Sequence, residues 1–171
     1  MIVVQTPLRV SLFGGGTDFP EYFSENETLV IGSAINKYIY HCIFDFPSNM
    51  FDYSIRLSYQ DIEKVNKLND IKHNVFKLML EKYSISENIE ISMMADLPAF
   101  TGLGSSSSFT VGLMNGLNLF KNKEILKPLQ LAEKSIHFER KILNDTVGYQ
   151  DQILASFGDF NFVNLNKQGM Q

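Results

Sequence analysis

Apolar and polar residues alternate through Ile89, Ile91 and Met93, the two-residue period of a strand. Beyond Phe109 the period lengthens. Val111, Leu113, Met114, Leu117, Leu119 and Phe120 fall on helical spacing. Between these runs stands Asp96-Leu97-Pro98-Ala99-Phe100-Thr101-Gly102-Leu103-Gly104-Ser105-Ser106-Ser107-Ser108, a Gly/Ser loop joining a strand to a helix that starts at Ser105 or Ser106. The same reading predicts strands over residues 2–4 and 8–13, broken at Thr6-Pro7, and one helical turn over 21–24. Residues 29–46 make one or two strands interrupted at Asn36-Lys37. A strand over 53–59 carries Arg56 outward. Residues 61–68 are polar and carry no clear period. Helices follow over 73–83, 128–143 and 149–157, then a strand over 160–165. Pro128 suits a first helical position, and Gly158 stops the last helix.

The Gly/Ser loop has chemistry to offer. Glycines let a backbone turn sharply and approach a ligand. The first turn of a helix presents unpaired N–H groups and partial positive charge, which suits phosphate. Serine hydroxyls can reach a phosphate oxygen or a metal. No Gly-Lys-Ser/Thr ending is present, so this is not a Walker loop. The plainer reading is a serine N-cap with a flexible lead-in.

Three other places carry candidate chemistry. Gly14-Gly15-Gly16-Thr17-Asp18 opens the backbone after a strand, either as a flexible turn or as a ligand loop. On the 128–143 helix, Gln130, Glu133, Lys134, His137, Arg140 and Lys141 gather on one side at about 100° per residue. Leu129, Leu131, Ala132, Ile136, Phe138, Ile142 and Leu143 gather on the other, and Glu139 falls among them. A carboxylate there has to be paired, protonated or bound to a metal, because burying it bare is costly. Asp151 opens the next helix, where an acid is favoured by the dipole alone. His73, at a helix start, is by default structural or solvated.

Composition narrows the partners. The 171 residues support one good core. The net charge of −4, with no basic cluster, argues against nucleic acid. No apolar run approaches the ~20 residues of a membrane span. Cys42 is the single cysteine, which excludes an internal disulfide and a cysteine metal cluster. The first residues lack a charged segment followed by an apolar one. A cytoplasmic location is expected.

Pro98-x-x-x-Gly102-Leu103-Gly104-Ser105-Ser106 resembles the phosphate-binding motif of the GHMP kinases, the galactokinase, homoserine, mevalonate and phosphomevalonate kinase superfamily. Pro7-x-Arg9-Val10-x-Leu12-x-Gly14-x-x-Thr17-Asp18 is similar to that family's first motif in its sugar-kinase form. Gly148-Tyr149-Gln150-Asp151-Gln152 resembles the segment with the catalytic aspartate. The three occur in family order across residues 6–159. Gly15 and Gly16 replace a Glu and a His of galactokinases, which counts against galactose. The Gly-Gly-Gly-Thr-Asp form resembles D-glycero-D-manno-heptose 7-phosphate kinases and fucokinase domains.

The resemblance implies an α+β fold like domain 2 of ribosomal protein S5, a mixed sheet packed against helices. It implies ATP and Mg²⁺ as cofactors and phosphoryl transfer to a sugar or sugar-phosphate hydroxyl, the anomeric one first. In that reading Gly102, Leu103, Gly104, Ser105, Ser106 and Ser107 hold the phosphates, and Ser106 with Glu139 holds Mg²⁺. Asp151 takes the hydroxyl proton, with Arg9 as its basic partner. Gly16, Thr17 and Asp18 meet the acceptor. His73 joins them through an Ile-x-His segment like that of heptose-phosphate kinases. Residues 1–171 would be the N-terminal, ATP-binding domain; the family's C-terminal domain, with a third Gly-rich motif, is not recognised here. The expected partner is a small sugar, with neither nucleic acid nor membrane, and a homodimer is left open. Competing readings are a nucleotide-binding module without catalysis, a fucokinase- or galactokinase-like enzyme, and a scaffold whose serine loop is structural.

Overall fold

Strand β2 (Thr28–Asp45) organises the sheet. It is rich in Ile, Val, Tyr and Phe, which suit a pleated, half-buried surface. A computed structural model describes residues 1–99 and 101–170, so Phe100 of the Gly/Ser loop and Gln171 lie outside the described residues. Strand β1 (Ile2–Phe13) runs antiparallel along one edge of β2. Strands β5 (Ile89–Ala95) and β6 (Phe160–Asn166) divide the other edge, pairing with residues 39–45 and 28–33. Beyond β5 lie β3 (Ile55–Ser58), parallel to it, and β4 (Ile62–Val65), antiparallel to β3. Beyond β6 lies β7 (Gly169–Met170). The sheet is mixed, as expected, and helices pack on it.

Several boundaries differ from the sequence reading. Residues 2–13 form one strand, not two. Pro7 stays in register with Tyr38, and the irregularity follows it: Arg9 pairs with Ala34. Two extra residues of β2 are accommodated there, so the Asn36-Lys37 interruption is a bulge within one long strand. Arg56 is not simply outward. It is half-buried and pairs across the sheet with Glu90 at 2.8 Å. The undetermined 61–68 stretch supplies β4.

The helices are α1 (Pro20–Phe23), α2 (Asn74–Lys82), α3 (Ser105–Asn122), α4 (Pro128–His137) and α5 (Gln150–Phe157). The helix expected over 128–143 is α-helical only to His137. It then widens into a π-turn, Phe138–Ile142, a local geometry frequent at functional sites. The middle of the apolar side is buried, with Leu131, Ala132, Ile136 and Phe138 at most 5% exposed, whereas Leu129 and Ile142 near its two ends are 47% and 37% exposed.

Helix α3 lies unusually close to β1 and β2. A Cβ at Gly112 would sit 2.4 Å from Thr6 Oγ1 and 2.9 Å from His41 Nδ1, so only glycine fits there. His41 is fully buried beneath it, beside the Phe109 ring at 4.9 Å, and neither ring nitrogen has a hydrogen-bond partner. Burial pushes its pKa down to about 3, against an ordinary 6.5. The unfolded chain therefore binds a proton before the native one does. Stability is fully present above pH 6.5 and drains as pH falls toward 3, by about 1.4 kcal/mol per pH unit. Chemical denaturation of wild type and His41→Leu at pH 7 and 4.5 checks this. The difference should move by about 3 kcal/mol in favour of the variant at the lower pH. A difference independent of pH would show that His41 is not held neutral.

Candidate active site

The Gly/Ser loop leaves β5 and enters α3. Gly102 and Gly104 take left-handed φ values of 74° and 73°, and Gly104 is the N-cap residue. No side chain caps this helix, so the serine-cap reading does not hold. The first-turn N–H groups remain available to an anion, with the dipole behind them. Arg9 braces the loop from below. Its backbone N–H donates to the Leu103 carbonyl at 3.0 Å and its Nη1 to the Gly102 carbonyl at 2.8 Å. A Cβ at Gly104 would lie 3.0 Å from the Arg9 side chain. Of the four serines, Ser106 is exposed while Ser107 and Ser108 turn inward. The Ser108 hydroxyl donates to the Pro7 carbonyl at 2.8 Å, fixing α3 to the strand.

The first turn of α5 sends three consecutive side chains or amides to three different places. The Gln150 N–H donates to Asp18 Oδ2 at 2.9 Å. Asp151 accepts two bonds from Arg9, 2.7 Å from Nε and 2.6 Å from Nη2, the strong fork-to-carboxylate arrangement. Gln152, fully buried, donates through Nε2 to Ser107 Oγ at 3.2 Å and to Glu139 Oε2. The Asp151 and Gln152 side chains point about 100° apart, and the Gln150 contact uses a free first-turn amide, which is how one turn reaches all three.

Asp18 is 2% exposed, more enclosed than a glycine-opened loop suggests. Besides Gln150, its carboxylate accepts from the Gly16 N–H at 3.3 Å, and its carbonyl accepts from Tyr149 N–H at 3.1 Å. Gly148 makes room for it: a Cβ there would overlap the Asp18 carboxylate at 2.0–2.5 Å. Thr17 closes the loop by donating its hydroxyl to the Gly14 carbonyl at 2.9 Å. Gly16, Asp18, Gly148, Gln150 and Asp151 line one cleft of about 240 Å³. The loop expected to meet an acceptor and the expected base thus share a cavity.

Glu139 is 2% exposed, as its place on the apolar side predicts. Burial pushes its pKa up, partly offset by hydrogen bonds from Gln152 and Ser107. Its Oε2 accepts from Ser107 Oγ at 3.0 Å, whereas Oε1 is buried without a partner. The serine hydrogen-bonded to Glu139 is Ser107, while Ser106, expected to share a cation with Glu139, is exposed one residue earlier on the same turn. Among the described residues no group of three or more His, Cys, Asp or Glu is placed to cage a metal. The oxygen-only set here instead fits Mg²⁺, which takes one or two carboxylates and completes its shell with phosphates and water.

His73 is not brought to the cleft. Its ring packs against Tyr59, Phe76 and Phe109 at 4.8, 4.9 and 5.4 Å, and burial lowers its pKa. Its backbone N–H, with that of Lys72, donates to the Glu63 carboxylate. Gln152 escaped the sequence reading. The signal available was an amide directly before Ile153, Leu154 and Ala155, all buried.

A glycine loop at a helix N-terminus, an Arg–Asp fork against it and a buried acid behind it meet on one side of this sheet. The chain belongs to the GHMP kinase family: residues 69–159 match the GHMP kinases N-terminal domain. It is 33% identical to D-glycero-alpha-D-manno-heptose 7-phosphate kinase of Campylobacter jejuni, over 95% of this chain and 50% of that protein. It is 29% identical to galactokinase of Pyrococcus furiosus, over 99% of this chain and 48% of that one. Among solved structures, a D-glycero-D-manno-heptose 1-phosphate kinase from Bacteriodes thetaiotaomicron superposes with a TM-score of 0.86 at 23% identity, covering 100% of this chain and 58% of that one. The chain spans about half the length of the curated relatives it matches. No described helix is long and apolar enough to cross a membrane.

Proposed function

We propose that this chain is the ATP-binding part of a Mg²⁺-dependent kinase that phosphorylates a hydroxyl of a sugar or sugar phosphate, the anomeric one first. The observation that carries the reading is Asp151, held by Arg9 against the phosphate loop and opening on the Asp18 cleft. Phosphoryl transfer needs positioning and charge neutralisation more than covalent chemistry. The first-turn amides of α3, with Gly102 to Ser107, hold the phosphates. Glu139 with Ser106 or Ser107 would hold Mg²⁺, which when bound neutralises charge on the transferring phosphates. Asp151 accepts the acceptor's hydroxyl proton at a carboxylate oxygen while Arg9 fixes the carboxylate's orientation. Asp18 holds the acceptor loop against α5 and offers its remaining lone pairs to sugar hydroxyls. The resemblance to a heptose 7-phosphate kinase favours an acceptor that already carries a phosphate.

Phosphorus NMR of reactions with ATP, Mg²⁺ and a panel of sugars and sugar phosphates tests the reading. A new phosphate on the anomeric carbon is expected. Asp18→Ala should raise the acceptor KM by about 10–100-fold, the worth of one hydrogen bond to a charged group, with ATP affinity little changed. ATP binding without transfer to any acceptor would identify a nucleotide-binding module without catalysis. No ATP binding at all would make the serine loop structural.

A further inference from the structure

Gln152 lies at the junction of the phosphate and acceptor sides, and its donor chemistry is fully determined. A carboxylate only accepts, so the end of the amide facing Glu139 has to be the nitrogen. One Nε2 hydrogen goes to Glu139 Oε2 and the other to Ser107 Oγ. The Ser107 hydroxyl then donates its own proton to the same Oε2. The three groups close a triangle in which each hydrogen is used once. All are at most 4% exposed. The triangle consumes Oε2 and leaves Oε1 without a partner.

From this we infer that Gln152 is a positioning residue for the cation site. By occupying Oε2 it fixes the Glu139 carboxylate in one orientation and keeps Oε1 as the oxygen open to a metal. A free carboxylate in that place can rotate or pair differently, and outer hydrogen bonds of this kind commonly change metal affinity by 10–100-fold. Gln152 also ties the carboxylate to α5, the helix that carries Asp151. Filling of the cation site and placement of Asp151 are thus mechanically joined through adjacent residues. A purely structural role, satisfying a buried acid, would alter stability and leave metal dependence untouched.

The inference rests on the kinase reading above, and the test separates the two. ATP binding to the chain is measured by calorimetry with and without Mg²⁺, for wild type, Gln152→Met and Gln152→Asn. Methionine keeps the volume and removes the amide; asparagine keeps the amide but falls one methylene short. Circular dichroism and melting establish that at least one variant folds. The expected result is a wild-type gain in ATP affinity from Mg²⁺ that drops by about tenfold or more in a folded variant, with metal-free ATP affinity unchanged. A folded variant whose Mg²⁺ gain stays within twofold of wild type overturns the positioning role while the kinase reading stands. A wild-type chain whose ATP binding is indifferent to Mg²⁺ overturns both.

Discussion

Asp151→Asn is expected to lower kcat by about 10²–10⁴-fold in a catalytically competent chain, the usual worth of a positioned general base. Asparagine keeps the size and one acceptor oxygen but has no basicity. The structure specifies what else changes. Arg9 loses one of its two carboxylate contacts, while its Nη1 keeps the Gly102 carbonyl and its N–H keeps the Leu103 carbonyl. The phosphate loop is therefore braced in the variant, and ATP affinity should stay within about threefold. The Asp151 side chain is 25% exposed, so the lost pair costs stability of about 1–3 kcal/mol and not the larger penalty of a fully buried charge. Steady-state kcat, ATP affinity by calorimetry and a melting curve, taken together, check this. A variant that retains most of its kcat would leave Asp151 as a helix N-terminal acid paired with Arg9 and nothing more.

How far the sequence led depends on whether the relevant order was local. The strand, loop and helix around residues 89–120 follow from period alone, and so does the burial of Glu139. In each case neighbours along the chain carry the information. The four serines show where that stops. Identical residues have no period, so nothing in Ser105–Ser108 says which hydroxyl turns inward. The N-cap decides it: Gly104 in a left-handed conformation sets the helical phase, and Ser107 is turned onto Glu139. Asp18 shows the other limit. Its enclosure depends on Gly148, which lacks the atom that would collide with it, and on the Gln150 amide, both some 130 residues away. The continuity of β1 through Thr6-Pro7 is likewise a property of pairing with β2, whose two extra residues near Asn36-Lys37 take up the irregularity. His73 had only its own segment to recommend it, and tertiary packing placed its ring among Tyr59, Phe76 and Phe109.

Glu139→Gln should stabilise the metal-free protein and abolish the effect of Mg²⁺ on ATP binding. In the absence of a cation, Glu139 is a buried carboxylate with one unpartnered oxygen, and burial raises its pKa above the ordinary 4.5. The native state then holds a proton that the unfolded chain has already released. Wild-type stability therefore falls as pH rises from 4.5 through the raised native value, and the deficit is complete above it. Glutamine removes the charge and keeps a carbonyl oxygen to accept from Ser107 and Gln152. The expected gain is about 1–2 kcal/mol at pH 8, or roughly 2–8 °C in Tm for a chain of this size. The gain should shrink toward zero below pH 4.5, where wild-type Glu139 is protonated in both states. Adding Mg²⁺ with ATP should reverse the order, because only the carboxylate compensates the cation. Melting curves across pH, with and without Mg²⁺ and ATP, read both effects in one experiment. A variant that melts well below wild type at every pH, with Mg²⁺ still strengthening ATP binding, would make Glu139 a structural partner of Ser107 and Gln152 and move the cation elsewhere on the phosphate loop.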